Sequence, residues 1–282
     1  MIVVAENKYG KSRIRLVKVR RTAGQHDLRE WTVEILLRGD FDSCFVEGDN
    51  SKILPTDTMK NTLYSLARDS ASECLEDFAK ELVEFFLEHN PQVSEAEVTI
   101  SEKAWEHLQC GGQAQPTTFI QARGELQTTK VGRSQKGTLS VTSGFENLVI
   151  MKTSGSKFEG YIQDSLTTLP PSKDRLLGTV LSARWAYTPT LVDFEPVRSE
   201  VREILLTVFA EHQSQSVQHT LYAMGKSVLE NLAAVEDIEL NMPNKHCLLV
   251  DLSHFGQDNP NEIFVPVDEP HGNIQARLRR QE

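Results

Sequence analysis

Apolar side chains recur along this chain with two different periods, and the two periods alternate. Trp31, Val33, Ile35 and Leu37 alternate with mostly polar neighbours, and this period of two predicts a β-strand with one buried face. A charged partner strand is predicted from about 13 to 19. The polar segment AGQHD between the two strands favours a hairpin connection.

Beyond these strands the period changes to that of a helix. In residues 75–86 apolar side chains fall three or four positions apart and form one apolar face, which predicts an amphipathic helix. Ser72 is its expected N-cap, because a serine hydroxyl can accept from a free first-turn amide. A shorter helix is predicted at 56–67, with Thr56 or Asp57 as its cap.

The second half of the chain repeats the order of elements in the first half. The first half reads strand, strand, helix, helix, strand, strand, and its last two strands lie at 97–101 and 119–126. The second half predicts strands at 138–152 and 178–187, helices at 197–208 and 217–232, and strands at 238–241 and 247–252. Runs of strands followed by runs of helices indicate an α+β fold, an antiparallel sheet with helices on one face.

The two repeats are expected to occupy residues 1–132 and 133–282. The seam between them falls near the polar, basic segment 128–137, which could equally be the tip of a long hairpin. A length of 282 residues suits about two domains.

Composition narrows the class of protein. The net charge is −10, which argues against nucleic acid or an anionic membrane as the main partner, since both require clustered positive charge. The four cysteines form no CxxC pair, so a zinc ribbon or a disulfide scaffold is not expected. No apolar run approaches the roughly 20 residues that cross a bilayer, and the end RRQE is not a peroxisomal address. We therefore expect a cytoplasmic protein.

Common catalytic motifs are absent from the sequence. It contains no GxGxxG, GxxxxGK[ST], GxSxG or HExxH, the motifs of many nucleotide-binding proteins, hydrolases and zinc proteases. His246 and His254 are eight residues apart, a poor spacing for metal ligands without a third ligand nearby. No metal site is expected.

Short polar islands remain at the ends of the predicted elements. They are YGK (9–11), DNSKILPTDTMKNTLY (49–64), SKFEGY (156–161), DRLLGT (174–179), SVQHTLY (216–222) and NKH (244–246). Each also has an ordinary structural interpretation. Lys11 and Arg175 could be solvated charges, Thr56 a helix cap, Phe158 a core residue and His246 a strand-edge residue.

Taken together, the islands resemble the urate oxidase (uricase) family in order and in spacing, over about residues 6 to 272. The pattern DNSxxxxTDxxKNTxY followed by SVQxTxY and NKH carries most of the resemblance. The resemblance implies the tunnelling fold (T-fold), in which two tandem repeats of the order deduced above form each subunit. In that fold, subunits pair to close barrels, and two barrels stack into a homotetramer with active sites between subunits.

The resemblance also implies a reaction. Urate would be oxidised by dioxygen and water to 5-hydroxyisourate and hydrogen peroxide, a step of purine degradation, with no cofactor and no metal. The partners would be urate, dioxygen and other copies of the chain, with no nucleic acid and no membrane. The absence of a peroxisomal address favours a bacterial member of the family.

The family's substrate-binding residues match positions in this chain. Phe158 would stack on the purine, the planar Arg175 guanidinium would bind the edge carrying O2 and N3, and Gln218 would pair with O6 and N1–H. The Val217 amide would lie beside Gln218, and Thr56 and Asp57 would reach the five-membered ring from a second subunit.

The matched catalytic residues are Lys11, Thr56 and His246. A threonine hydroxyl takes up a proton at neutral pH only if a stronger base removes its own, and a lysine amine can do so where its environment favours the neutral form. His246 would relay protons through a water molecule, and Asn244 would hold dioxygen or water above the purine.

Two alternatives stay open on the residues alone. One is a T-fold enzyme acting on a pterin or a deazapurine, although such relatives usually bind the heterocycle with a glutamate, and here Arg175 and Gln218 occupy the matching islands. The other is a purine-binding T-fold protein without activity, against which the intact Lys11, Thr56 and His246 argue.

Overall fold

The alternating side chains of Trp31, Val33, Ile35 and Leu37 lie on one face of a strand, and all four are buried. The computed structural model of the chain describes residues 2–188, 193–267 and 269–281, except the side chains of residues 122 and 123. It divides into two units between residues 145 and 146, whereas the sequence prediction placed the division between 132 and 133.

Unit 1 contains four complete antiparallel strands and the start of a fifth, with helices packed against their sheet. Its strands are hydrogen-bonded in the order in which they occur along the chain. Its elements are β1 (Tyr9–Thr22), β2 (Gln25–Gly39), α1 (Asp42–Val46), α2 (Thr56–Asp69), α3 (Leu75–His89), β3 (Val93–Cys110) and β4 (Gln113–Ser134), followed by the start of β5 (Ser140–Lys152).

The core of unit 1 lies between the sheet and the apolar helix faces. The apolar face predicted for α3 is buried, and the Phe78 ring stacks on the Trp31 ring with centroids 5.0 Å apart. Ile35 of β2 and Met59 and Leu63 of α2 are fully buried in the same core. Burial of one helix stripe against one sheet face offsets the entropy of ordering the chain, and the period change in the sequence reflects this arrangement.

Unit 2 has the same kinds of element in the same order. They are the end of β5, then β6 (Leu177–Tyr187), α4 (Phe194–Glu211), α5 (Val217–Asn231), β7 (Val235–Leu249), a short 3₁₀ turn (Ser253–Phe255), β8 (Phe264–Val267) and β9 (Asn273–Arg279). β7 pairs antiparallel with β6, and β8 and β9 pair with successive parts of β7. The helix α5 packs on β7 and β9. The predicted α+β class with an antiparallel sheet and helices on one face is confirmed.

Both predicted helix caps of unit 1 were wrong. Cys74 is the N-cap of α3, while the Ser72 hydroxyl donates to Glu81. Pro55 is the N-cap of α2, so Thr56 is already the first helical residue. Proline before a helix sets an extended backbone that suits the N-cap, and the observed cap lies one residue before Thr56 and two before Asp57.

Strand boundaries also differ from the prediction. The two strands expected at 238–241 and 247–252 are one strand, β7, which runs through the polar residues between them. The segment 128–137 comprises the end of β4 and the turn after it. Thr129 and Ser140 donate hydroxyl hydrogen bonds across to Thr142 and Gly132. The alternation of apolar and polar side chains does not reveal such polar strand residues. Their backbone hydrogen bonds to the neighbouring strand do not depend on the hydropathy of the side chain.

Candidate active site

Lys11 lies where β1 departs from regular pairing. It pairs with Ile35 of β2, and the register shifts between Lys11 and Ile14, which marks a bulge. The residue before it, Gly10, lies so close to β2 that a Cβ there would be 1.8 Å from the Ile35 carbonyl oxygen. Bulges re-aim side chains at sheet edges. This close approach explains why the YGK island contains a glycine, since any larger residue would displace the strand that carries Lys11.

Thr56 and Asp57 form the first turn of α2, and a tyrosine ties that turn to β1. The Tyr9 hydroxyl accepts from the Leu54 amide at 2.9 Å and donates to the Leu54 carbonyl at 3.2 Å. Tyr9 is two residues before Lys11, and Leu54 is two residues before Thr56, so one side chain joins the YGK island to the TD island.

Charge at the start of α2 involves Lys11. Lys60 donates to the Asp57 carboxylate. The Lys60 hydrogen bond, with a smaller contribution from the charge of Lys11, holds the pKa of the exposed Asp57 below its usual value. Lys11 is half-buried, and no hydrogen bond or ion pair joins its ammonium group to the part of the chain that the structure describes.

In unit 2, Phe158 belongs to an irregular segment between β5 and β6 that is fixed by backbone hydrogen bonds on two sides. On one side, Phe158 and Ser172 exchange both of their backbone hydrogen bonds, at 2.8 and 3.0 Å. On the other side, the Ser214 amide donates to Gly155 and the Lys157 amide donates to Ser214. One short stretch thus joins the SKFEG island to residues some fifteen and some sixty positions farther along.

Arg175 is held beside Phe158 by the same stretch. Its backbone amide donates to the Ser156 carbonyl at 2.8 Å, and its guanidinium carbon lies 5.0 Å from the centroid of the Phe158 ring. The Asp174 carboxylate does not pair with the guanidinium; it accepts from the Ser156 amide and the Ser154 hydroxyl. The guanidinium is thereby left without a neutralising carboxylate among its described neighbours.

The Arg175 side chain is half-buried and incompletely hydrogen-bonded. Its Nε is buried and has no hydrogen-bond partner among the described residues. Burial lowers the pKa of the guanidinium, which still stays charged at neutral pH. A buried donor without a partner is costly in a folded protein, and an anionic ligand would supply the missing acceptor.

Phe158 and Arg175 line a pocket of about 480 Å³ together with Asn244 and His246. Asn244 is buried and lies opposite Thr179 of β6, while His246 lies opposite Val267 of β8. The two residues are two positions apart on β7, and Asn244 Nδ2 lies 3.5 Å from His246 Nδ1. The pocket therefore combines an aromatic ring, a cation, an amide and an imidazole, and its volume suits a small planar ligand.

Val217 and Gln218 begin α5 and lie outside the lining of this pocket. Ser216 caps the helix, with its hydroxyl accepting from the His219 amide at 3.1 Å. The first amides of a helix have no partner within the helix, and its dipole favours a negative charge there. Val217 is buried and Gln218 exposed, so the Gln218 amide group is free to reach a ligand.

The sequence-predicted residues thus form two groups. Lys11, Thr56 and Asp57 come together in unit 1, and the remaining six lie in unit 2, where four of them line one pocket: Phe158, Arg175, Asn244 and His246. The interpretation of Phe158 as a core residue was wrong, because it lines the pocket, and Thr56 is no helix cap.

Sequence reasoning missed the residues that hold this site in place. Asp174 and Ser214 anchor the segment of Phe158, and Tyr161 stacks on the Phe158 ring. Asp174 and Tyr161 were inside the islands DRLLGT and SKFEGY, so their position beside a matched residue was the one available signal. Ser214 carried no such signal, because it acts through contacts with residues that are far from it in the sequence.

Within residues 2–188, 193–267 and 269–281 no three His, Cys, Asp or Glu side chains are grouped as metal ligands would be. Among the described helices, none combines the length and the apolar character needed to cross a bilayer.

Known uricases are similar to this chain over almost its whole length. The family model described as Uricase matches residues 7–132 and 141–275. The uricase of Arthrobacter globiformis is 38% identical over 99% of this chain and 91% of its own length, and that of Dictyostelium discoideum is 34% identical over 99% and 98%.

Solved structures of uricases also resemble this chain. The crystal structure of the Arthrobacter globiformis uricase superposes with a TM-score of 0.95 at 38% identity, covering 100% of this chain and 96% of that one. Urate oxidase from Bacillus sp. TB-90 shares the fold, with a TM-score of 0.85 at 23% identity over 97% of this chain and all of that one. The chain belongs to the uricase family.

Proposed function

We propose that this protein is a urate oxidase, which converts urate, dioxygen and water to 5-hydroxyisourate and hydrogen peroxide. The observation that carries the proposal is the Arg175 guanidinium, charged and half-buried, with an unpartnered Nε, beside the Phe158 ring. At neutral pH urate is a planar purine anion. A planar cation beside an aromatic ring suits such a ligand, because the ring stacks on the purine and the guanidinium donates to its edge.

Gln218 and the Val217 amide extend recognition to the opposite edge of the purine. Both belong to the start of α5, which the Ser214 hydrogen bonds tie to the segment carrying Phe158. An amide side chain can both donate and accept, which matches a purine edge that presents N1–H beside O6. A free N–H at a helix start also stabilises negative charge on the ligand.

Proton removal falls to Lys11, Thr56 and His246. Thr56 would deprotonate bound urate as Lys11 takes the hydroxyl proton, and His246 would return protons through water. The resulting dianion is electron-rich and gives two electrons to dioxygen, which leaves as hydrogen peroxide, while water supplies the new oxygen at C5. Asn244, buried beside His246, would position dioxygen or water for this step.

The test uses urate itself. Purified protein should consume urate and dioxygen in a one-to-one ratio, with urate followed by the fall in its near-ultraviolet absorbance. It should produce one equivalent of hydrogen peroxide. Activity should survive exhaustive chelation, with less than one equivalent of metal by elemental analysis. A stoichiometric metal whose removal abolishes turnover would overturn the metal-free proposal, and a pterin consumed in place of urate would overturn the substrate.

We further propose that the active unit is a homotetramer in which Thr56 and Asp57 of one chain complete the site of another. In support, β1 is the last strand on its side of the described sheet, and a long unpaired strand edge is normally covered. Leu248 and Leu249, at the end of β7, and Val265 of β8 are about half exposed in the single chain. Apolar surface of this kind is typical of subunit contacts.

Subunit mixing tests the shared site. At a urate concentration far below the KM of the Arg175→Ala protein, the Thr56→Ala and Arg175→Ala proteins should each be nearly inactive. Exchange between them should restore activity, because some hybrid sites contain both native residues. Native mass spectrometry should show four chains and confirm exchange. A confirmed exchange without recovered activity would place Thr56 and Arg175 in the same chain's site.

A further inference from the structure

Tyr161 forms a second aromatic layer behind the residue expected to stack on the substrate. The rings of Phe158 and Tyr161 are parallel within 12°, with centroids 4.8 Å apart. Offset stacking at this distance is a favourable aromatic geometry. Tyr161 therefore covers one face of the Phe158 ring. The Arg175 guanidinium carbon also lies over the ring, 5.0 Å from its centroid, so a purine would stack on the ring area that these two side chains leave open.

A hydrogen bond fixes the Tyr161 ring at its far end. The Tyr161 hydroxyl donates to the Leu169 carbonyl. Leu169 and Ser172 both line the pocket, and Ser172 is the residue that exchanges backbone hydrogen bonds with Phe158. Tyr161 thus closes a ring of contacts in which the backbone of Phe158 is held by Ser172 and its side chain by Tyr161.

The backbone between the two rings is shaped for this contact. Gly160 has φ of +73°, in the left-handed region that residues with a Cβ adopt only at a cost, and no atom lies near the place of its Cβ. The turn brings position 161 back over position 158. The loop that follows is exposed, with Ile162 and Leu166 91% and 86% accessible, so the Tyr161 contact builds no apolar core there.

We propose that Tyr161 is a positioning residue for urate binding, which holds the plane of the Phe158 ring ready for the purine. This inference rests on the proposed function. A phenylalanine ring free to change rotamer loses orientation entropy when it stacks on a ligand, and a ring already fixed by a neighbour loses less. Tyr161 would therefore affect substrate binding and leave the proton-transfer step unchanged.

The test compares Tyr161→Leu, Tyr161→Phe and Gly160→Ala with the wild-type protein. Tyr161→Leu should raise the KM for urate about 2- to 10-fold with kcat nearly unchanged. It should raise the Kd of urate equally when binding is measured by calorimetry without oxygen. Tyr161→Phe keeps the ring, so its KM and Kd should lie between those of the wild-type and Tyr161→Leu proteins. Gly160→Ala should give values similar to those of Tyr161→Leu. Phe255→Leu, which changes an exposed aromatic residue far along the chain, is the matched control and should match wild type.

A double variant separates positioning from a general structural role. In the background of Phe158→Leu, the further change Tyr161→Leu should leave KM and Kd unchanged, because no ring remains to be positioned. An equal rise in that background, or unchanged Kd in Tyr161→Leu, would overturn the inference. A wild-type protein that binds no urate would instead overturn the proposed function.

Discussion

The two groups of site residues are built in different ways. Lys11, Thr56 and Asp57 of unit 1 lie on a strand, next to its bulge, and on a helix. Phe158 and Arg175 of unit 2 instead lie in a stretch between β5 and β6 without helix or strand. In unit 1, Tyr9 joins two rigid elements by one side chain. In unit 2, the segment depends on backbone hydrogen bonds to partners far along the chain.

The difference follows from the work each group would do. Proton transfer depends on short, fixed distances between a few atoms, which rigid elements provide. Recognition of a flat ligand depends on a surface assembled from several directions, which a segment held at many points can provide. Disturbing unit 1 is therefore expected to change kcat, and disturbing the Phe158 segment is expected to change KM.

Lys11→Met is expected to have the largest effect. It should lower kcat by about 10²–10⁴-fold with little change in KM, because it removes a member of the proton-transfer pair but no group proposed to bind the purine. Steady-state oxygen uptake as a function of urate concentration measures both constants. The ordinary interpretation of Lys11 as a solvated strand residue requires a near-normal kcat instead.

Arg175→Ala should change mainly KM, whereas Lys11→Met should change mainly kcat. The loss of a charged hydrogen-bond donor should raise KM for urate roughly 10- to 100-fold, with a smaller effect on kcat. Arg184→Ala, at an exposed position of β6, is the matched control and should behave as wild type. Arg175→Lys keeps the charge but not the fork and should recover only part of the affinity. A fall in kcat alone would contradict the division between the two groups.

Gly10→Ala tests whether unit 1 depends on rigid geometry. The added Cβ would overlap the Ile35 carbonyl oxygen, so the strand that carries Lys11 must shift. We expect a loss of stability of about 1–3 kcal/mol and a fall in kcat in the protein that still folds. Thermal unfolding and kinetics below the transition measure the two effects. Gly24→Ala, in the open hairpin turn with φ of +97°, gives the control for backbone strain without overlap.

Asp174→Asn should give the smallest change. An amide oxygen can still accept one of the two hydrogen bonds that Asp174 accepts from Ser154 and Ser156, so KM should rise only about 2- to 10-fold. Hydrogen bonds from the Ser156 amide and the Ser154 hydroxyl hold the pKa of Asp174 below its usual 3.8. The stabilisation from the hydrogen bonds that the Asp174 carboxylate accepts is therefore complete above pH 3.8. It is lost only as the pH falls through the lower pKa of the folded state. Between pH 5 and 9 the ratio of the variant's KM to the wild-type KM should stay constant; a ratio that changes there would contradict the assignment.

Much of the fold could be predicted from periodicity. The apolar faces of α3 and β2 are buried as their spacing requires, and α5 begins at Val217 as predicted. The short helix α1 and the strands β8 and β9 were not predicted. β8 has four residues, too few to show a period. β9 alternates Ile274, Ala276 and Leu278 with polar or charged residues, so the signal for this strand was present in the sequence and was overlooked.

The amino-acid sequence by itself determined the α+β class, the repeated order of elements and the polar islands that place this chain in the uricase family. These properties depend on the spacing of residue types along the chain, because burial of one face per element requires a local period. Only the tertiary structure decided that Gly10 lies against Ile35, that Asp174 leaves the guanidinium of Arg175 unpaired, and that Tyr161 covers one face of Phe158. These contacts depend on hydrogen bonds such as those of Phe158 with Ser172 and Gly155 with Ser214, which exist only once distant segments have come together.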